Sequence, residues 1–321
     1  MFKLKYADDT ALPSHTAEGL QQNLDRICEA YQRAGLVVNV KKTEVLYQVS
    51  RQHITTQPSF TVSSAPLANV EQFTYLGSIL SADCDITHEV NRRIQLASAA
   101  FGRLSHRVFY NRSLTTSTKV AVYNAMCVSI LLFGCETWTL YRRHLKALED
   151  YHIKSLQKIL GLHWWNKVTH VEIRRRANVH CMEHLVMQRQ LRWVGHVIRM
   201  QSNRLPRRIL YSELQRGQRA TGGQKKRFSD QVKATLRKCS IPPAELETLA
   251  ADREEWRDVC DEGLAAFDIN YDQEAEARRA RRHTVTSIPA SGPRCHICGR
   301  VCASEFGLRS HLRCHRPSLT S

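Results

Sequence analysis

The sequence contains no apolar run long enough to cross a membrane and no apolar leader of the kind that directs secretion. An uncharged, largely apolar stretch, Val120 to Cys135, is shorter than the ~20 apolar residues that a spanning helix needs, and it includes Tyr123 and Asn124. We therefore expect no membrane segment and no secretion, and a location in the nucleus, the cytoplasm or both. No internal repeat is evident.

Acidic residues are scarce in the middle of the chain. The 321 residues carry a formal net charge of +17, and residues 151–240 hold 20 Lys and Arg against 4 Asp and Glu, a net charge of +16. Such concentrated charge predicts a polyanionic partner, RNA or DNA, bound largely through phosphate contacts. The alternative is a solvated basic face without a ligand. The densest candidates for phosphate contacts are Arg174, Arg175, Arg176, Arg207, Arg208, Lys225, Lys226 and Arg227.

Three tryptophans lie within this basic block. Trp164 and Trp165 follow His163, and Trp193 stands between Arg192 and Arg199. Aromatic side chains among basic residues can stack on unpaired bases. Trp193 occupies a helical position next to apolar residues, which favours core packing, whereas stacking and core packing are equally compatible with Trp164 and Trp165.

Eleven cysteines without a secretory leader indicate reduced thiols or metal ligands, not disulfides. Four of the cysteines are crowded near the C-terminus, where the spacing Cys295-x2-Cys298-x12-His311-x3-His315 occurs. Two thiolates from a hairpin and two imidazoles one turn apart on a helix complete a tetrahedral Zn²⁺ shell. The spacing therefore predicts a zinc finger of the Cys2His2 type, with Leu308 at its usual core position and the metal holding the module folded.

The finger departs from the usual pattern at two places. Cys302 stands where a finger usually has a core Phe, and we expect Phe306 to supply that bulk from the helix. Cys314 is a candidate competing ligand beside His315, and His296, between the two thiolates, is expected to be exposed.

The finger helix carries small residues at the positions that normally contact bases. These are Ser304, Gly307 and Ser310. Their side chains are too small for the bidentate hydrogen bonds that discriminate bases. We therefore expect a single finger of this kind to bind nucleic-acid backbone or RNA, or to dock a protein. Its basic residues are Arg300, Arg309, Arg313 and Arg316.

Two adjacent carboxylates occur near the start of the sequence, in the segment Tyr6-Ala7-Asp8-Asp9 between two apolar segments. Carboxylates at a hairpin tip can hold Mg²⁺ against nucleotide phosphates in the two-metal mechanism of polymerases. The alternative is a solvated turn, because Asp pairs are common in loops. A two-metal site also needs a carboxylate from a neighbouring strand, and no acidic residue here matches one.

Further motifs follow in order: Gly35-Leu36-x-x-Asn39-x-x-Lys42-Thr43, then Tyr75-Leu76-Gly77. Together with the Tyr-Ala-Asp-Asp box they resemble the later palm motifs of reverse transcriptases from LINE-type non-LTR retrotransposons. The resemblance implies that Asp8 and Asp9 hold catalytic metal and that Lys42 lies near the incoming nucleotide. It extends through the segments Leu131 to Trp138, Arg192 to His196 and Gly222 to Arg227.

The resemblance also implies that fingers and an aspartate-bearing palm motif would precede Met1. We therefore expect the C-terminal part of an RNA-directed DNA polymerase, inactive alone, in which chemistry requires the missing palm and fingers. An alternative is a non-enzymatic zinc-finger protein that binds nucleic acid or acts as an adaptor, with the finger or the acidic helices at 243–280 holding a protein partner. A translated pseudogene fragment without a selected role is a third hypothesis.

The predicted fold is α+β and mostly helical, a truncated palm with a helical thumb, a basic helical segment and a small ββα finger. Predicted strands are Val37 to Val40 and Thr43 to Val49, and a hairpin or loop covers residues 50–70. Predicted helices are 16–34, 87–104, 116–133, 142–160, 171–200 and 229–239. The predicted domains are a partial palm at 1–82, a thumb-like region at 83–161, a basic nucleic-acid-binding segment at 162–242, an acidic helical segment at 243–282, a linker at 283–293 and the finger at 294–316.

Overall fold

The structure, a computed structural model, describes residues 4–48, 57–212, 225–284, 292–302, 304–312 and 315. It is 62% helix and 9% strand, which confirms the predicted α+β, mostly helical class. Among the helices of these ranges, none combines the length and the apolar character that crossing a membrane requires. Most of the predicted linker at 283–293, together with Arg313, Cys314 and Arg316 of the finger, lies outside the described residues.

Short strands and one long helix make up the first part of the chain. The strands are β1 (Leu4–Tyr6), β2 (Asp9–Ala11), β3 (Glu44–Leu46), β4 (Thr61–Val62), β5 (Ala65–Pro66), β6 (Ala68–Val70), β7 (Gln72–Tyr75) and β8 (Ser78–Ser81). Each described sheet has two strands: β1–β2, β4–β5 and β7–β8 are antiparallel, and β3–β6 is parallel. Helix α1 (Ala17–Arg33) begins where Thr16 accepts a hydrogen bond from the N–H of Gly19, as an N-cap does.

Helices dominate the rest of the chain. They are α2 (Thr87–Leu104), α3 (Thr116–Val122), α4 (Ser129–Leu131), α5 (Arg142–Ile159), α6 (His170–Ala177), α7 (Met182–Ile198), α8 (Leu205–Leu210), α9 (Phe228–Lys238), α10 (Leu246–Ala251), α11 (Arg253–Thr284) and α12 (Glu305–Leu312). Two π-helical segments, Ser105–Phe109 and Tyr123–Val128, follow α2 and α3. Short 3-10 helices lie at Val40–Lys42, Cys135–Thr137, Trp164–Asn166 and Pro243–Glu245.

The strand predicted for Val37 to Val40 is wrong. Val37 is 93% exposed, and Val40 opens a 3-10 turn instead of continuing an extended segment. The side chain of Asn39 accepts a hydrogen bond from the N–H of Lys42, and the hydroxyl of Thr43 donates to the carbonyl of Asn39. These local bonds satisfy backbone groups that a strand would have paired, so the turn competes successfully with the sheet.

The single helix predicted for 171–200 is two helices. Asn178, at the end of α6, has a φ of 51°, a left-handed conformation that asparagine tolerates and that stops a helix. Cys181 then caps α7, because its Sγ accepts a hydrogen bond from the N–H of His184. The break brings the residues just before α7 out of helical register with α6.

Two compact units divide the chain: Met1–Gly161 with Leu210–Gln231, and Leu162–Ile209 with Val232–Ser321. In the first unit, α1 packs on a small apolar core with the short strands around it. The buried members of that core are Leu24, Val45, Phe60, Val62 and Leu67. The predicted domain boundaries are not tested by this division and stay predictions.

A buried ion pair ties the β7–β8 hairpin to α2 within the first unit. Glu89 and Arg93 are 3% and 5% exposed, and their side chains meet at 2.6 Å. Glu89 also accepts a hydrogen bond from the N–H of Ile79 at 2.7 Å, and Arg93 donates to the carbonyl of Gly77. Breaking such a pair leaves an uncompensated charge in the interior, so the hairpin depends on its contacts with α2.

In the second unit, α7 packs against α10 and α11. At Gly195 of α7, an added Cβ would clash with the indole ring of Trp256 on α11. The same indole N–H donates a hydrogen bond to the carbonyl of Leu191 at 3.0 Å. Glycine is required here because only a residue without a side chain allows the indole to lie against the backbone of α7.

Candidate metal centre and basic surface

A short hairpin-like segment and one helix position the four predicted ligands of the C-terminal finger. Arg294 and Val301 form an antiparallel bridge, and the N–H of Cys295 donates to the carbonyl of Arg300 at 2.8 Å. Between them Gly299 turns the chain with a φ of 70°. Helix α12 then carries His311 near its C-terminal end.

The four ligand atoms of Cys295, Cys298, His311 and His315 all lie within 4.8 Å of one another. Cys298 Sγ is 3.1 Å from His311 Nε2, which is 3.2 Å from His315 Nε2. A tetrahedral Zn²⁺ with bonds of about 2.0–2.3 Å holds its ligands roughly 3.3–3.8 Å apart. The spacing and chemistry of this set therefore fit a metal ion, and the four residues form a candidate metal centre.

The environment of Cys295 favours the thiolate that a metal ligand must supply. Burial raises the pKa of this thiol, but hydrogen bonds from the backbone N–H groups of Cys298 and Ile297 lower it more, so the pKa lies below its ordinary value. Metals bind thiolates, not thiols, and a lowered pKa reduces the proton competition for the site.

The packing expected inside the finger is wrong at Phe306. This side chain is 83% exposed and does not fill the space of the usual core Phe, whereas Cys302 and Leu308 are half-buried. Residue 306 follows the first residue of α12, where the helix surface faces solvent. His296 is exposed as expected, and Ile297 beside it is also exposed.

The helix positions expected to face a nucleic acid remain small and open. Ser304 and Ser310 are exposed and Gly307 is half-buried. The Ser304 hydroxyl accepts a hydrogen bond from the N–H of Gly307 at 3.1 Å, so it caps α12. Arg300 and Arg309 are exposed on the same module.

Asp8 and Asp9 lie at the tip of the β1–β2 hairpin. Tyr6 pairs with Asp9, so Ala7 and Asp8 form the two-residue turn, and Ala7 adopts a left-handed φ of 48°. Both carboxylates are exposed. Within the part of the chain that the structure describes, no third carboxylate, imidazole or thiolate joins them, so the described residues do not assemble a two-metal site here.

The other two palm-like boxes form local turns. Lys42 is exposed at the end of its 3-10 turn, and the ion pairs of the described residues include none between it and either aspartate of the hairpin. Tyr75 and Ser78 pair across the turn that Leu76 and Gly77 make, both with positive φ. The Tyr75 hydroxyl is 3.4 Å from the carbonyl of Leu4, a contact between this hairpin and β1.

Arg174 was predicted to contact phosphate, and the structure contradicts this. Its side chain is 6% exposed, it lies 2.5 Å from Asp272 of α11, and its guanidinium lies over the ring of Tyr271. A buried, paired guanidinium is not accessible to a phosphate. The ion pair with Asp272 instead holds α6 against α11.

The neighbouring arginines face solvent. Arg175 and Arg176 expose 72% and 50% of their side chains. Both pair with Glu172 on the same helix, which is an arrangement of weak surface ion pairs. These two arginines are therefore accessible to an anion that competes with Glu172.

The two arginines of α8 also differ in whether they have internal partners. Arg207 donates to the carbonyls of Ile198 and Met200 at 2.6 and 2.7 Å. It thus satisfies carbonyl groups at the C-terminal end of α7, a structural task that the sequence did not reveal. Arg208 is exposed.

The basic triplet at 225–227 belongs to the first unit, and its side chains contact other residues of that unit. Lys225 donates to the carbonyl of Asp83, and Lys226 donates to the carbonyl of Leu140 and lies over the ring of Tyr141. Arg227 pairs with Asp230 on the first turn of α9. The three side chains therefore have internal partners that a phosphate would have to displace.

A basic and aromatic ridge lies on α7, and its residues were not among the predicted phosphate contacts. Arg192 and His196 are exposed one turn apart, and Trp193 between them is half-buried with its ring 5.6 Å from that of His196. The helical period of the sequence could have predicted this ridge, because residues 192, 193 and 196 share one face of a helix.

Trp164 and Trp165 are not core residues. They are 83% and 57% exposed, Trp165 stacks on His163 with ring centroids 4.2 Å apart, and Trp164 meets Trp165 edge-on. Of the two interpretations left open by the sequence, the exposure favours aromatic faces that are accessible to bases.

No protein-family model and no solved structure matches the chain. One relative is a Caenorhabditis elegans protein described as an uncharacterized transposon-derived protein. It is 23% identical over 261 residues, which cover 79% of this chain and 92% of the relative. This similarity supports a transposon-related origin for the chain.

Proposed function

We propose that the chain is part of a LINE-type non-LTR retrotransposon reverse transcriptase and that its C-terminal half binds Zn²⁺ and nucleic acid. The four convergent ligand atoms of the Cys2His2 set carry this proposal. The transposon-derived relative and the order of the palm-like boxes support the retrotransposon assignment. On this proposal the chain acts in the nucleus or the cytoplasm, where RNA and DNA are present.

The finger takes Zn²⁺ in preference to a hard ion such as Mg²⁺. Two thiolates and two imidazoles are soft to borderline ligands that suit Zn²⁺, whereas Mg²⁺ prefers oxygen. So short a module cannot bury enough apolar surface to fold alone, and its helix leaves Phe306 in solvent. The metal is therefore the main source of the stability of the module.

Nucleic-acid binding rests on the exposed cations, which are fewer than the sequence indicated. The proposal assigns phosphate contacts to Arg175, Arg176, Arg192 and Arg208, and stacking to the tryptophans at 164 and 165. Lys225, Lys226 and Arg227 contribute only if a phosphate displaces their internal partners. Such contacts give sequence-independent binding that weakens with salt.

Polymerase chemistry is proposed only for a completed palm. Asp8 and Asp9 would hold Mg²⁺ together with a carboxylate from the missing strand, and Lys42 would lie near the incoming nucleotide. The purified chain is expected to give no primer extension in Mg²⁺ or Mn²⁺. Extension by the chain alone that Asp8→Ala abolishes would overturn the expectation that the chain is inactive by itself.

Zinc binding is tested on the full chain by measuring bound metal after dialysis against Zn²⁺. Cys295→Ser and His311→Ala are expected to lose one ion per chain relative to the wild type. His296→Ala is the matched control, because His296 lies between the two thiolates but is exposed and not among the ligands. Full retention of zinc by both ligand variants would reject the finger.

Nucleic-acid binding is tested by titrating RNA and DNA duplexes and single strands at several salt concentrations. Replacing Arg192 or Arg208 by Gln should each reduce the slope of log affinity against log salt by about 1. Arg33→Gln is the control, because Arg33 is also exposed but lies on α1 in the first unit. A slope near zero in the wild type would reject the phosphate-binding surface.

A second candidate function is docking of a protein by the finger. Phe306 and Ile297 expose 83% and 56% of their surface, and no large side chain occupies the usual base-reading positions. Aromatic side chains such as that of Phe306 are enriched at protein interfaces. If Phe306→Ala leaves the salt-dependent affinity for nucleic acid unchanged while the zinc-ligand variants also leave it unchanged, the docking function is favoured.

A further inference from the structure

A second group of metal-ligand side chains lies between the start of α7 and the middle of α11. His180 precedes α7, His184 lies in the first turn of that helix, and Asp268 comes from α11. The left-handed turn at Asn178 sets this geometry, because it breaks the helix just before His180. The two histidines are four residues apart, and the carboxylate is 84 residues further along the chain, so sequence spacing alone does not join them.

The three side chains converge on one point. His180 Nδ1 and His184 Nδ1 lie 2.6 and 2.8 Å from the same carboxylate oxygen, Oδ2 of Asp268. One ligand atom from each of the three residues lies within 4.8 Å of the others. The two imidazole rings are parallel, with centroids 3.9 Å apart and an angle of 6° between their planes.

Hydrogen-bond geometry is better for one histidine than for the other. His180 Nδ1 forms a hydrogen bond with Asp268. His184, whose side chain is 5% exposed, has its buried Nδ1 2.8 Å from the same oxygen, a close contact that is poorly aligned for a hydrogen bond. A poorly aligned contact compensates a buried polar atom only in part, and an ion between the three groups would satisfy all three ligand atoms.

We propose that His180, His184 and Asp268 bind a divalent transition-metal ion of the zinc class. Two imidazoles and one carboxylate are a ligand set that such ions accept, with a fourth position left to water or an external ligand. His180 is 56% exposed, so an ion can enter from its side and the ring can turn out of the stacked arrangement to direct its lone pair at the metal. The site differs from the finger in having no thiolate.

Binding at this site joins the connection between α6 and α7 to α11. Arg174 and Asp272 make a second link between α6 and α11, one helical turn further along α11. The metal site therefore completes an attachment that the protein already has in part. Neither link involves the finger ligands, so the proposal stands or falls separately from the proposed function.

The test is zinc stoichiometry of the full chain, stripped of metal and dialysed against Zn²⁺ alone. His180→Ala and Asp268→Asn are each expected to bind one ion fewer than the wild type, because the ion at this site is lost. Cys295→Ser should also bind one ion fewer, but the ion lost is that of the finger. The double variant H180A/C295S should bind two fewer. His196→Ala is the matched control, an exposed histidine on the same α7 helix that should bind as the wild type does.

Cobalt distinguishes the two sites by spectrum. Thiolate-to-cobalt charge transfer arises only at the finger, so Cys295→Ser should abolish that band and keep the weaker absorption of cobalt bound by imidazole and carboxylate. Far-UV circular dichroism confirms folding, and His180→Ala, at a half-exposed position, decides the outcome if Asp268→Asn unfolds. Unchanged zinc content in His180→Ala overturns the proposal and leaves an imidazole–carboxylate hydrogen bond in its place.

Discussion

The two sites implied by the sequence motifs, the finger and the β1–β2 hairpin, differ in how much of each this chain supplies. The finger brings together four ligands from a segment of about twenty residues, whereas the hairpin presents two exposed carboxylates and no third ligand within the described residues. A metal site built from one short segment is complete wherever that segment folds. A site built from several strands is complete only when every strand is present.

The two regions also differ in what holds them in place. The finger needs a hairpin-like turn, one helix and an ion. The palm-like region needs its short strands to be held by packing against a neighbouring helix, as Glu89 and Arg93 of α2 hold the β7–β8 hairpin. Changes in the finger should therefore act on metal binding, and changes in the palm-like region on folding.

The largest expected effect comes from removing one finger ligand. Cys295→Ser should lose the bound zinc and with it the roughly 10–16 kcal/mol that metal binding contributes to modules of this type. Amide hydrogen exchange across residues 292–312 should become fast, while exchange in α1 and α7 stays as it was. Protected amides in this module after zinc removal would mean that the finger folds without metal, and the contrast with the hairpin would disappear.

The next effect comes from the buried pair beneath the β7–β8 hairpin. Glu89→Gln keeps the shape of the side chain but leaves Arg93 buried and unpaired, so the free energy of unfolding should fall by about 3–5 kcal/mol. Chemical denaturation measures it. Glu29→Gln breaks an exposed pair with Arg33 and should cost less than about 1 kcal/mol. Equal costs for the two variants would show that the hairpin does not depend on this contact with α2.

A smaller, pH-dependent effect on stability is expected at Asp85, whose carboxylate accepts hydrogen bonds in the folded protein. Hydrogen bonds from Thr87, opposed by burial and assisted by Arg143, lower its pKa from 3.8 to about 2. Since the pKa is lower in the folded state, the stabilisation is present above pH 4 and is lost as pH falls through about 2. Asp85→Asn should cost about 2 kcal/mol at pH 7, as urea denaturation measures. Asp8→Asn, at the exposed tip, is the control, and a loss at Asp85 that is the same at pH 3 and pH 7 would contradict this assignment.

The smallest effect is expected at the hairpin tip itself. Asp8→Ala should change the free energy of unfolding of the isolated chain by no more than about 0.5 kcal/mol, because the carboxylate is exposed. It should also leave Mg²⁺ binding undetectable, as in the wild type, when both are titrated by calorimetry. Tight Mg²⁺ binding by the wild type that this variant abolishes would mean that the site is complete without further strands.

Regular elements with strong periodicity were predictable from the sequence. Helix α1, α2 and α5 lie within a residue or so of their predicted bounds, because amphipathic spacing and a glycine or threonine at the ends define them. The π-helical segment Tyr123–Val128 inside the predicted helix 116–133 was not predictable, because it depends on packing. The turn at Ala7 and Asp8 and the ligand spacing of the finger were predictable for the same reason, because each depends on nearby residues.

The roles of charged residues were predictable only in part. A run such as Arg174-Arg175-Arg176 gives no indication of which member lies inside, and only the position of Asp272 on α11 decides that Arg174 is buried. Arg207 likewise has its task fixed by the carbonyls at the end of α7. The convergence of His180 and His184 with Asp268 depends on helix packing across 84 residues, which no local pattern encodes.

The contact between Gly195 and Trp256 affects what sequence similarity to this chain can show about another protein. The segment Arg192 to His196 looks like a functional signature, yet its glycine is dictated by an indole lying against the helix. Any descendant that keeps this helix crossing is expected to keep glycine there, whatever its substrate. A shared segment of this kind therefore indicates common ancestry of the architecture and is silent about whether the two proteins still perform the same chemistry.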